Sequence, residues 1–151
     1  MPSRPAVAAV LAITLTLAGT ACRKAEAVRG TIAPPDVAEP PGDAVTTPSG
    51  LAFRVLVAGN GHARPSAESR VLVNYTGWTT DGQVIDGAPV GTEPAVIRVS
   101  DVIPGWQEGL RLMVEGEKRR FWIPAHLAYA GEPGKPQGML VYDISLVRVV
   151  D

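Results

Sequence analysis

The chain has 151 residues, 46% of them hydrophobic and 19% charged, with a formal net charge of −1. That length suits one domain with some chain to spare, and the near-neutral balance gives no electrostatic case for nucleic acid as a partner. The single cysteine, Cys22, excludes an internal disulfide and a cysteine-built metal site; His62 and His126 are the only histidines, so neither a metal nor a cofactor is expected. With 16 glycines and 14 prolines, the composition favours turns and short strands over helices.

Residues 1–21 have the form of an export signal: Arg4 supplies an early charge, Ala6 to Leu17 is apolar, and Ala18-Gly19-Thr20-Ala21 are small. The apolar run is short for a bilayer span. A lone Cys22 directly after it resembles the lipid-attachment site of bacterial lipoproteins, although Gly19 stands where those sites usually carry Leu. The alternative is ordinary cleavage near Ala21 or after Ala25-Glu26-Ala27. Residues 22–45, with Pro34, Pro35, Pro40 and Pro41, show no apolar periodicity and read as an extended tether. The expected location is a bacterial cell envelope, anchored to a membrane through a lipid on Cys22 or else periplasmic or secreted.

The pattern changes at residue 46, and residues 46–151 read as the folded domain. After the turn signal Ser49-Gly50, residues 51–57 alternate as a strand, residues 59–65 form a loop, and Arg70 to Trp78 follow as a second strand with Val71, Val73 and Tyr75 on one face. Thr80-Asp81-Gly82 is a hairpin turn leading to a short return strand at Val84–Gly87. Residues 94–99 give another, with Ala95, Ile97 and Val99 sharing a face.

Val102-Ile103-Pro104-Gly105-Trp106 then ends an apolar run in a break that suits a helix start, because proline has no N–H to donate and a fixed φ. Trp106, Leu110 and Met113 fall at i, i+4 and i+7, one helical face. Taken alone, Trp106 is an ordinary core residue or the floor of an apolar pocket. In Lys118 to Ile123, period-2 parity puts Arg119, Phe121 and Ile123 on one face and Arg120 and Trp122 on the other. The basic triplet 118–120 reads as a solvated strand edge or, less simply, an anion site. Trp122 is expected either exposed, where it contacts a client, or half-buried on the outer sheet face. In the last strand, Leu140, Tyr142, Ile144 and Leu146 face inward and Asp143 and Ser145 outward. The elements sum to an α+β domain: an antiparallel sheet of five or six strands wrapped around one short helix.

The strings VLVNYTGWTTDGQVID, VIPGWQEGLRLM, GEKRRFWIP, LAYAG and MLVYDISL, preceded by TTPSGLAFRVLVAGNG, resemble an FKBP-type peptidyl-prolyl isomerase over residues 46–150. The resemblance implies a proline pocket between helix and sheet. It places Trp106 under the proline ring and makes Ile103 the residue whose backbone N–H holds a ligand carbonyl. Tyr75 and Asp86 then stand at the wall, and the Tyr129 hydroxyl reaches a bound carbonyl. Tyr142 stands where the family usually has Phe, and Ile85, Ala95 and Val102 complete the expected pocket. Tyr75 and Asp86 also admit a purely structural reading, as a hydrogen-bonded core pair, and Asp86 as a turn cap through Gly87. His126 reads as a surface loop residue.

The implied activity is isomerisation of X–Pro bonds in the folding of exported proteins. Unaided, that step takes tens to hundreds of seconds across a barrier of about 18–20 kcal/mol. Twisting the amide lowers its polarity, so an apolar pocket favours the twisted state; lowering the barrier by about 5–6 kcal/mol accelerates the step roughly ten-thousandfold. No nucleophile is required. The implied partners are proline-containing polypeptides and macrolide inhibitors, the implied form a monomer. Ile85 and Ala95 stand at or near positions where the family carries Phe, and the loop after Tyr129 is short, lacks an Ile-Pro tip and has Ala130 where Gly is usual. These departures point to reduced activity and keep open an alternative: a binding or chaperone module of the same fold with little or no catalysis.

Overall fold

The computed structural model describes residues 31–151, so the expected signal sequence and Cys22 lie outside the described residues. Seven strands form one antiparallel sheet: β1 (Val45–Thr46), β2 (Ala52–Val57), β3 (Arg70–Thr79), β4 (Val84–Ala88), β5 (Ala95–Arg98), β6 (Lys118–Ile123) and β7 (Leu140–Val150). Their order is β1-β2-β6-β7-β3-β4, and β5 pairs with the other end of the same β3 edge, so the sheet is six positions wide. Its spine is the pairing of β3 with β7, which runs from Arg70–Val150 to Thr79–Leu140 with one register shift between Leu72 and Val73. Among the described residues one α-helix, α1 (Pro104–Leu112), lies on the concave side, with short 3-10 turns at Val99–Asp101 and Ala125–Leu127. The expected α+β architecture is the one observed.

Period-2 alternation sorts the side chains. Val71 and Val73 from β3, Phe121 and Ile123 from β6, and Leu140, Tyr142, Ile144 and Leu146 from β7 point inward and close over Trp106, Leu110 and Met113 of the helical face. Pro104 opens α1, and Gly105 and Gly109, one turn apart, let it lie directly on the sheet. A Cβ at Gly105 would collide with Ile123, and one at Gly109 would sit 2.8 Å from the Phe121 ring. Arg119 closes the other end of the helix: its guanidinium donates to the Leu112 carbonyl at 3.0 Å, pairs with the buried Glu117, and stacks 4.5 Å from the Phe53 ring centre. A cation there complements the helix dipole.

Three expectations need correction. The basic triplet does not mark a sheet edge, because β6 lies between β2 and β7. Its charges are tolerated in mid-sheet because they are paired: Arg120 bonds both Asp143 oxygens at 2.6 and 2.9 Å and Asp36 at 2.7 Å. Nor do residues 31–45 form a free tether. Val37 is buried against Trp78, Trp122 and Val141, with Ala33 and Ala44 packed beside them. The Asp36 carbonyl accepts the Trp122 indole N–H at 2.8 Å, and Arg54 bonds Asp43 at 2.6 Å. This strap buries Trp122, which is therefore neither exposed nor half-buried. A sequence without periodicity docked because its partners were two outward-facing tryptophans and two arginines elsewhere in the chain.

Removing the strap strips one valine from the outer core, one indole acceptor and one carboxylate from Arg120. The expected loss is about 3 kcal/mol of stability. Urea unfolding of chains beginning at residue 31 and at residue 45 measures it; coincident midpoints with equal slopes would show that the strap contributes nothing.

Candidate active site

Three local patterns converge on one point above the helix. Tyr75 follows Val71 and Val73 on the inner face of β3, Tyr142 lies on the inner face of β7, and Trp106 sits in the first turn of α1. The Trp106 ring stands 4.9 Å from Tyr75 and 5.2 Å from Tyr142, nearly perpendicular to both at 86° and 84°. Such edge-to-face contacts fix ring orientation as well as bury area. Gly77, the register partner of Tyr142, makes this possible: a Cβ there would strike the Tyr142 ring.

Together these rings bound a cavity of about 260 Å³, with Trp106 as the floor and Tyr75, Asp86, Ile97, Val102, Ile103, Tyr129 and Tyr142 around it. Asp101 and Lys135, both exposed, complete the lining and so stand at the mouth. Trp106 is 6% exposed, buried from below and open only to this space. Ile103 precedes the helix, and its backbone N–H meets no acceptor among the described residues. A free donor at the lip of a cavity walled by aromatic rings suits a ligand carbonyl.

Of the nine residues expected to form the site, seven come together here. Ile85 and Ala95 do not: both pack against the core cluster, away from the cavity lining. The residue of β5 that reaches the cavity is Ile97, two positions beyond Ala95 on the same face, opposite Val71. The alternation of Ala95, Ile97 and Val99 carries that signal, whereas nothing in the sequence singles out Asp101 or Lys135. His126 is an exposed residue of the 3-10 turn Ala125–Leu127 whose Nε2 lies 2.8 Å from the Ser49 carbonyl, and it does not line the cavity.

Both structural roles considered for Asp86 occur, alongside its place in the wall. Its Oδ2 accepts the Tyr75 hydroxyl at 2.9 Å and its Oδ1 accepts the Gly87 N–H at 2.7 Å. Burial, then the neighbouring Asp86 charge and hydrogen bond, push the Tyr75 phenol pKa well up; burial, with Tyr129 and Asp86 nearby, does the same for Tyr142. Both phenols are therefore neutral at physiological pH and serve as uncharged walls. Among the described residues no group of three or more His, Cys, Asp or Glu side chains is placed to hold a metal ion.

A larger hollow of about 450 Å³ lies on the outer sheet face between Thr31–Pro35 and Asn74, Thr76, Asp143 and Ser145. It is larger than the aromatic cavity, but its polar lining is spent: Asp143 pairs with Arg120 and Lys118, and Asn74 donates to the carbonyls of Ala88, Pro89 and Thr92. The aromatic cavity is the candidate site.

A sequence model described as FKBP-type peptidyl-prolyl cis-trans isomerase matches residues 61–147. The chain is 41% identical to the outer membrane protein MIP of Legionella longbeachae over 109 residues, 70% of this chain and 46% of that protein. It is 42% identical to the FKBP-type isomerase FkpA of Escherichia coli K12 over 107 residues, 69% of this chain and 39% of that protein. The chain thus spans less than half the length of these two relatives. A solved peptidyl-prolyl cis-trans isomerase from Pseudomonas syringae superposes with a TM-score of 0.66 at 32% identity, covering 76% of this chain and 86% of the other.

The raised phenol values fix the sign of an alkaline effect. The folded state holds these two protons more tightly than the unfolded chain, so their contribution to stability is complete below the ordinary phenol pKa of 10.0 and is lost as pH rises above it. Tyrosinate absorbance followed against pH is expected to show Tyr75 and Tyr142 ionising only as the domain unfolds. Ionisation of all three tyrosines near the ordinary value with the fold intact would contradict the burial described here.

Proposed function

Because the chain belongs to the FKBP-type peptidyl-prolyl cis-trans isomerase family, we propose that it accelerates X–Pro isomerisation in polypeptides, acting on exported proteins in the cell envelope. The observation that carries this reading is the cavity over Trp106. At about 260 Å³ it falls just below the range of drug-sized pockets and suits a group as small as a pyrrolidine ring. Its walls at Tyr75, Tyr142 and Ile97 are apolar rings and an aliphatic chain.

The chemistry follows from that lining. A planar X–Pro amide is polarised by resonance, and the twisted form is not. With proline seated on Trp106, the apolar walls disfavour the polarised ground state, while the Ile103 N–H and the Tyr129 hydroxyl hold carbonyls in place as the bond turns. Tyr75 is held by Asp86 and keeps its proton, so it presents a ring face. These residues act by preferring one geometry of the substrate, and no bond to the protein forms. A fold kept for binding alone is motivated by Ile85 and Ala95, which stand at or near Phe positions of the family. Neither lines the cavity, so the walls a Phe would supply there are missing, and the peptide assay decides between the two readings.

The placement in the envelope is supported by the signal pattern of residues 1–21 and by a relative named as an outer membrane protein. Among the described residues no helix is long and apolar enough to cross a membrane. Attachment through a lipid on Cys22 fits both. The mass of the mature N-terminus checks it: a diacylglyceryl-modified Cys22 is expected, and an unmodified residue after Ala21 or Ala27 rejects it.

For the activity, isomerisation of a Leu-Pro test peptide should run well above the uncatalysed rate, and Trp106→Leu should lower kcat/KM about tenfold or more with the far-UV spectrum unchanged. A wild-type rate equal to the uncatalysed one ends the enzymatic reading. Undiminished activity in Trp106→Leu removes the floor from the mechanism.

A further inference from the structure

The mouth of the cavity carries a charge that the isomerase reading does not use. Lys135 lines the cavity with its ammonium 5.5 Å from the centre of the Tyr129 ring, within reach of a cation–π attraction that holds it over the pocket. Its loop is braced. Ala130, Gly131 and Gly134 turn the chain with positive φ, and the Gln137 side chain donates to the Glu132 and Lys135 carbonyls, both at 2.8 Å. Among the described residues no carboxylate pairs with Lys135; the ion pairs belong to Arg54, Lys118, Arg119 and Arg120. Two carboxylates share the cavity with Lys135, and neither forms an ion pair with it. Asp86 already accepts from Tyr75 and Gly87 through its two oxygens, and Asp101, on the turn before α1, has only the Ser100 hydroxyl at 3.5 Å.

A polypeptide whose proline rests on Trp106 must cross this mouth, so the side chains next to the proline pass close to the Lys135 ammonium. We propose that Lys135 is a specificity-determining residue that favours clients carrying Asp or Glu adjacent to the proline. The inference rests on the isomerase reading and concerns the same cavity. A carboxylate there gains an ion pair beside an aromatic face, and a lysine or arginine at that place is repelled. Because the contact is at the rim, it changes selectivity more than the turnover of neutral substrates, and added salt weakens it.

The test uses the full chain and pairs of peptides with Glu or Gln placed before the proline, and again after it. At low ionic strength the Glu peptide should show kcat/KM about two- to fivefold above its Gln counterpart at one of the two positions, the size expected of an exposed ion pair. That ratio should fall to about one in Lys135→Met and below one in Lys135→Glu, and shrink as salt is added. A Glu-to-Gln ratio unaltered by either replacement at both positions, or a preference for Lys over Glu, overturns the proposal. A Leu-Pro peptide run alongside separates the two claims. Accelerated Leu-Pro turnover without a residue-135 effect rejects the selectivity alone, and no acceleration of any peptide rejects the isomerase reading and the selectivity with it.

Discussion

How closely α1 approaches the sheet decides whether a pocket exists at all. Gly105 faces Ile123 and Gly109 faces Phe121, and at both places a single methyl group would push the helix outward. Trp106 stands between these two glycines in sequence, so the contact that draws the helix down also sets the height of the indole. At that height its edge meets Tyr75 at 4.9 Å and Tyr142 at 5.2 Å. Raising the helix by the width of a methyl group would open those contacts, and the floor would lose the walls that orient it. Gly77 plays the matching part on the sheet, leaving room for the Tyr142 ring to lie across β3. The cavity is thus a consequence of three missing side chains as much as of the rings that line it.

The outer face of the same sheet is organised by a different constraint. Trp78 and Trp122 point away from the helix and cannot be left in water cheaply, so the strap of residues 33–44 covers them. Strand β6 serves both faces through adjacent arginines: Arg119 turns inward to the helix C-terminus and Phe53, and Arg120 turns outward to Asp143 and Asp36. A basic triplet in the middle of a sheet is stable here because alternation sends consecutive charges to separate sets of partners. The paired charges on the outer face also explain why the larger hollow there lacks the unspent groups found at the smaller one.

Most of the fold was legible because period-2 alternation and the Pro-Gly break before Trp106 act locally. The inward set on β7, the parity of β6 and the start of α1 at Pro104 all follow from neighbours within a few positions. The strap was not legible, since Asp36 and Val37 have no pattern of their own and acquire meaning only from Trp122 and Arg120 more than 80 positions away. The same distinction runs through the site. Trp106, Tyr75 and Tyr142 lie on regular elements whose faces can be counted; on β5 the count puts Ala95 and Ile97 on the same face, and the match to a family Phe position selected Ala95. Asp101 and Lys135 lie on turns, where no periodicity says which way a side chain points.

That difference between elements and turns also divides the labour within the pocket. A mechanism that works by preferring a twisted amide needs walls that hold their shape while the substrate moves, and β3, β7 and α1 supply them from the densest part of the core. The charged rim comes instead from turns: Asp101 before α1, and Lys135 in the loop after Tyr129, where Ala130 adopts φ 46 and the backbone turns at three further glycines. A non-glycine residue in that conformation is strained, by about 1 kcal/mol or more. Sequence changes there alter the rim without moving the floor. A chain can therefore keep Trp106 and its two tyrosines while its loop shortens, because the floor and walls come from regular elements and the charged rim from turns, with the Tyr129 ring joining the two.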